Sequence, residues 1–166
     1  MKRCLPRLAA LVAMLLAGCA GLDSGPSRER QPIIGLGAYA ADQLLAHPDW
    51  PLKQRSAVVL ISPPQIDAEL PVSRARFEEA LTRGLLSHAD APQVLNWTPA
   101  ADSAALAPNQ WLLDTRLALQ FGPLALSDRR LYPYRLTLIL RRSGEARPYW
   151  QTTIEGAFDS RSLDNP

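Results

Sequence analysis

Three stretches near the end of this chain constrain its fold more than anything before them. In 111–121, Trp111, Leu113, Thr115, Leu117, Leu119 and Phe121 alternate with Leu112, Asp114, Arg116, Ala118 and Gln120. Residues 131–142 repeat the pattern, with Tyr132, Tyr134, Leu136, Leu138 and Leu140 set against Arg135, Thr137, Ile139 and Arg141. A third run, 149–158, sets Trp150, Thr152, Ile154, Gly156 and Phe158 against Gln151, Thr153 and Glu155. Successive side chains of a strand point to opposite faces, so a period of two that is polar on one side requires a sheet half open to water. Ser143, Gly144 and Glu145 between the last two runs carry the chemistry of a hairpin turn.

The preceding segment reads differently. Residues 56–62 hold Ala57, Val58, Val59, Leu60 and Ile61 without interruption, the mark of a strand buried on both faces, and Pro63 and Pro64 end it. Between 73 and 86, Phe77, Leu81 and Leu85 recur every four residues with Ala80 and Gly84 alongside, which predicts an amphipathic helix with Ser73 as its N-cap. Glu79 and Arg83 stand at i,i+4 on its wet side. Residues 33–47 begin with a glycine-punctuated apolar piece and turn helical near Ala38. A short strand is expected at 93–97, an alanine-rich connection at 98–109 and a polar tail from Asp159. The sum is an α+β domain: a mostly antiparallel sheet of about five strands with helices packed on one face.

At the other end, Lys2, Arg3 and Arg7 precede an apolar run from Leu8 to Leu16, and Leu16, Ala17, Gly18 and Cys19 follow. A basic start, an apolar run too short to span a bilayer and small residues before a cleavage point describe a secretory signal. Leu16 to Cys19 resembles the bacterial lipoprotein box. That resemblance implies cleavage before Cys19, a thioether-linked diacylglycerol on its sulfur and attachment to a membrane. Ala20, rather than an aspartate, then implies the outer membrane, with the domain facing the periplasm. The expected organisation is a signal peptide at 1–18, a lipidated cysteine and tether at 19–32, and one periplasmic domain at 33–166. The thirteen residues from 20 to 32 are rich in Gly, Pro and Ser and reach roughly 45 Å when extended.

Cleavage also changes the charge. The 18 Lys and Arg lose Lys2, Arg3 and Arg7, leaving 15 against 16 acidic residues, which excludes the basic footprint of a nucleic-acid binder. Cys4 leaves with the signal and Cys19 is spent on lipid, so no thiol remains for a disulfide, a metal or a nucleophile.

Catalytic chemistry finds little purchase. His47 and His88 each stand at a predicted helix end, where a histidine interacts favourably with the helix dipole. The chain has no metal-ligand spacing, phosphate-cradling loop or Gly-x-Ser-x-Gly elbow. No catalytic residue, metal ligand or cofactor is therefore assigned. Asp67 and Glu69 read as loop solubility residues, and Trp111 and Trp150 as core. Trp50 and Trp97 stand in or beside loops, where an indole covers a core edge or binds a partner. Arg116, Arg135 and Arg141 share the polar face of the sheet with Asp114 and Glu155. Two readings stand: cross-strand charge pairs, or a docking surface for a partner protein.

Taken together, the lipoprotein box, the buried strand at 57–61, the helix at 73–81, the long strand at 111–121 and Gly144-Glu145 leading to Trp150 and Gly156 resemble a known group. These are the LpoB-type outer-membrane lipoproteins that activate class A penicillin-binding proteins, within the wider TolB-N-terminal-like and CsgG-like envelope domains. The resemblance implies a non-enzymatic, lipid-anchored binding protein whose partner is an envelope protein, with a peptidoglycan synthase as the named candidate. The alternative is a structural or assembly lipoprotein of an envelope transport or secretion complex.

Overall fold

The computed structural model describes residues 32–46, 54–98, 107–142, 145 and 147–163. The lipoprotein box, the tether, His47, Trp50 and the Ser143-Gly144 turn lie outside them. Glu145 is described, and its N–H donates to the Arg142 carbonyl.

Helix α1 spans Pro32–Leu45. It starts six residues earlier than the expectation at Ala38, and Pro32 suits the first turn because its missing N–H would have had no helical partner. Gly37, part of that glycine punctuation, and Gly84 of the second helix sit in their helices for a packing reason. A Cβ on Gly37 would lie 2.4 Å from the Ala80 carbonyl carbon, and one on Gly84 would lie 2.7 Å from the Gly37 oxygen. Backbone therefore meets backbone where α1 crosses α2, which spans Arg74–Leu86. Helix α2 buries Phe77, Ala80, Leu81, Gly84 and Leu85, the stripe expected of it, and Arg83 pairs with Glu79 on the exposed side. Ser73 is its N-cap in extended backbone, but its side chain makes no capping bond. A second tie joins the helices near their C-termini. The His88 ring bonds the Gly84 carbonyl through Nδ1 at 3.1 Å and the Asp42 carboxylate through Nε2 at 3.0 Å.

The sheet corrects the expectation in kind and in size. Among the described residues it has seven strands: β1 Val58–Ile61, β2 Gln65–Ile66, β3 Gln93–Asn96, β4 Gln110–Leu119, β5 Leu124–Ala125, β6 Arg130–Arg141 and β7 Trp150–Asp159. It is mixed rather than mostly antiparallel. β1 lies between β3 and β4 and runs parallel to both, and β2 also pairs parallel with β4. Among the described strands the β4–β6, β5–β6 and β6–β7 pairs are antiparallel. The parallel half follows from connectivity, since a strand, a crossover helix and a second strand in one sheet bring the two strands in parallel. β2 and β5 have two residues each, too few to leave a periodic signal.

Both long helices lie on one face of the sheet. There Ile33, Leu36 and Leu44 of α1 and Phe77, Leu81 and Leu85 of α2 share a core with Val59, Ile61, Trp111, Leu113, Leu117 and the inward residues of β6 and β7. Trp111 is fully buried and Trp150 is half-buried against this core. Opposite Tyr134, position 156 holds a glycine because the tyrosine ring occupies the space of its side chain. A Cβ there would lie 2.6 Å from the hydroxyl, and the ring stacks on Phe158 at 4.3 Å. Burial raises the Tyr134 phenol above its ordinary value of 10.0.

The tail is not simply polar. Ser160–Leu163 forms a short helix, α3, and Leu163 packs on the core. Asp67 likewise does more than solubilise a loop. Its Oδ2 accepts the Leu119 N–H at 3.0 Å, and its own N–H donates to the Leu117 carbonyl at 3.0 Å, so it latches the β1–α2 connection to β4.

Candidate functional site: the open face of the sheet

The face opposite the helices carries the residues that alternate away from the core, and it has two zones. Over β1, β3 and β4 it is apolar. Val58, Leu60 and Leu112 form a small buried cluster with the half-buried Trp97 packed on it. Leu95 is the register partner of Leu60 and is exposed. Trp97 therefore covers an edge of hydrophobic surface on the open side. Its loop position left this undecided in the sequence, because the partners that define the cluster come from two separate strands, β1 and β4.

Over β4, β6 and β7 the face is charged. Here all three arginines singled out from the sequence come to one surface, because each occupies an outward position of its strand. Arg135 and Glu155 are register partners on β6 and β7, and Arg135 Nη2 lies 2.8 Å from Glu155 Oε1. Arg141 pairs with Asp114, which stands diagonally from it across the β4–β6 ladder. Both are cross-strand charge pairs of the expected kind, worth up to about 1 kcal/mol each at such exposed positions.

Arg116 differs. Its register partners are Thr137 on β6 and Gln65 on β2, neither of which is charged. It is exposed, and no ion pair to it is found among the described residues. The face thus offers one uncompensated guanidinium between two neutralised ones. A guanidinium presents a planar fork of donors suited to carboxylates and other acidic groups. No group of three or more His, Cys, Asp or Glu able to hold a metal is found among the described residues. An open groove of about 730 Å³ lies along the outer side of α2, lined by Glu78, Glu79, Thr82, Arg83, Leu86 and Asn96. Its one internal ion pair is the exposed Glu79–Arg83 contact, so it gathers no buried titratable group.

No protein-family model matches the chain, and no curated protein does. Among solved structures, the LpoB C-terminal domain from Escherichia coli aligns at a TM-score of 0.47 with 11% identity, over 76% of this chain and 97% of that one. A Xanthomonas campestris protein of family DUF330 aligns at 0.46 with 14% identity, over 70% and 77% of the two chains. Lipoprotein GNA1162 from Neisseria meningitidis aligns at 0.43 with 18% identity, over 63% and 85%.

Proposed function

We propose that this chain is a non-enzymatic, lipid-anchored periplasmic protein that binds an envelope protein through the open face of its sheet, with a peptidoglycan synthase as the partner. The observation that carries the reading is Arg116, exposed and without an ion pair among the described residues, on a face where Arg135 and Arg141 are each matched. Flanking Arg135 and Arg141 extend that surface, and the apolar zone around Trp97 and Leu95 borders it. A polar rim beside an apolar patch is the composition of a transient protein interface. In this reading the protein acts allosterically: docking stabilises the active state of the partner by the difference in affinity between its two states. A tether of about 45 Å requires the partner to bring its binding site within that distance of the membrane that holds Cys19.

The test is reversal of all three charges, Arg116→Glu, Arg135→Glu and Arg141→Glu, followed by in-cell crosslinking and mass spectrometry of the captured protein. Capture of the partner should be lost while circular dichroism shows the fold intact. Unchanged capture by the folded variant would overturn this surface.

A second reading, an assembly subunit of a transport or secretion complex, draws on another observation. Among the described residues β7 pairs with β6 alone, so its other edge has no strand partner there along ten residues. Such an edge accepts a further strand from another chain. This reading predicts co-purification with a stable membrane complex and no effect on glycan polymerisation in vitro.

A further inference from the structure

The hairpin between β4 and β6 carries an apolar surface that the proposed function does not use. All ten residues from Phe121 to Arg130 are exposed. Phe121 is 60% exposed, Leu124 49% and Leu126 45%, so a six-residue stretch holds three of the seven large exposed apolar side chains among the described residues. The tip is also ordered. Leu124 and Ala125 pair with Leu131 and Arg130, and the Leu126 N–H donates to the Arg129 carbonyl at 2.8 Å. These side chains are therefore held outward by a short hairpin rather than left on a loose loop.

The turn that ends the hairpin, closed between Leu126 and Arg129, carries the charge. Arg129 pairs with Asp128 and Asp159, and Arg161 with Asp128. Arg130 has no ion-pair partner among the described residues. Three arginines against two aspartates leave this turn net positive beside the exposed apolar side chains, and basic and apolar groups side by side suit the boundary between anionic headgroups and acyl chains.

The topology says which surface this tip meets. α2 runs opposite to β1, because it returns the chain to the start of the parallel strand β3, and the Arg55–Asp90 ion pair joins the two ends it brings together. α1 runs in the same direction as α2: Gly37 lies against Ala80, and further along Asp42 meets His88. The first residue of α1, Pro32, is therefore at the end of the domain where β1 and β4 finish. That is also the end from which the 120–130 hairpin projects. α1 consequently begins at the same end of the domain as the hairpin. Only the twelve residues 20–31, at most roughly 40 Å long, separate it from Cys19.

We infer that the 120–130 hairpin is a second membrane contact, which seats Phe121, Leu124 and Leu126 in the bilayer that anchors Cys19, with Arg130 at the headgroups. The inference rests on the lipid-anchor reading of Cys19. Tethering raises the local concentration of the hairpin at the bilayer, so an insertion too weak to hold a free domain suffices for an anchored one. It also sets the orientation of the domain, hairpin end toward the lipid, with the open face standing away from the membrane plane.

The processed full chain has no cysteine other than Cys19, so a single introduced cysteine carries a unique probe. Leu124→Cys, labelled with an environment-sensitive fluorophore, is compared with Ala89→Cys at the opposite end of the domain. Both are reconstituted in vesicles of phosphatidylethanolamine and phosphatidylglycerol that contain spin-labelled lipid. The position-124 probe should shift to the blue and be quenched by acyl-chain spin labels, while the position-89 probe stays aqueous. Adding Phe121→Ser and Leu126→Ser should lower the inserted-to-free ratio of the position-124 probe by about tenfold for each apolar side chain lost.

An aqueous position-124 probe on a chain that still floats with the vesicles would overturn the hairpin contact and leave the anchor standing. A chain that fails to float would overturn the anchor and the hairpin contact with it. A blue shift that rises with protein density without lipid quenching would overturn bilayer contact in favour of a second copy of the chain.

Discussion

Two alanine substitutions two residues apart in one helix should move stability in opposite directions. Gly35 and Gly37 both lie in α1, where glycine costs about 1 kcal/mol against alanine. A Cβ at position 35 would meet nothing within 4 Å, so Gly35→Ala should collect that gain, about 0.8 kcal/mol. At position 37 the same methyl would lie 2.4 Å from the carbonyl carbon of Ala80, 2.5 Å from its oxygen and 2.8 Å from its Cβ. Carbon atoms pack at about 3.5–4.0 Å, so α1 and α2 must separate by around 1 Å, and none of the opposing atoms can swing aside. Overpacking of this kind costs about 1–3 kcal/mol, and opening the gap also weakens the contacts that Leu36, Ala40 and Leu81 make in the shared core. After the propensity gain, Gly37→Ala should be about 2 kcal/mol less stable than the parent. Urea unfolding followed by circular dichroism at unchanged slope measures both. Melting points should rise by about 3 °C for Gly35→Ala and fall by about 8 °C for Gly37→Ala. Adding Gly84→Ala to Gly37→Ala should cost less than the sum of the two, because one separation of the helices relieves both. If both single variants moved the same way, or the double were additive, the glycine crossing would not be what sets the distance between these helices.

Other outcomes follow from the same structure. Asp67→Ala removes the acceptor of the Leu119 N–H and should cost about 1 kcal/mol, with hydrogen exchange quickening first at the end of β4. Because burial raises the Tyr134 phenol, the folded state holds that proton more tightly than the unfolded chain does. Its contribution is therefore complete below the unfolded value near 10 and is lost as pH rises through the folded value; Tyr134→Phe should flatten the alkaline fall of a urea titration. A double-mutant cycle on Arg141 and Asp114 should return no more than about 1 kcal/mol and shrink in high salt, since both side chains are partly exposed.

The strands β4, β6 and β7 and the stripe of α2 were legible because each rests on a local rule: neighbours two apart share a strand face, and neighbours three or four apart share a helix face. The same rule placed Arg116, Arg135 and Arg141 on one side of the sheet. It could not say that Glu155 and Asp114 neutralise two of them while Arg116 has no ion pair among the described residues, since that depends on which residues stand opposite in the ladder. The run from Ala57 to Ile61 announced a strand buried on both faces, yet not that its neighbours would be parallel. Direction belongs to the crossover through α2, a relation between residues more than thirty positions apart.

Gly37 looked like an interruption, and Gly84 an odd choice inside a predicted helix, for a similar reason. In isolation a glycine weakens a helix, and only the approach of a second backbone turns that weakness into the one residue that fits. Local sequence by itself determined which segments are strands and helices and which face of each is wet. Only the tertiary structure decided strand order and direction, the closeness of α1 to α2, and the placing of Pro32 and the 120–130 hairpin at the same end of the domain. Those depend on contacts between distant parts of the chain, where no periodicity along the sequence reaches.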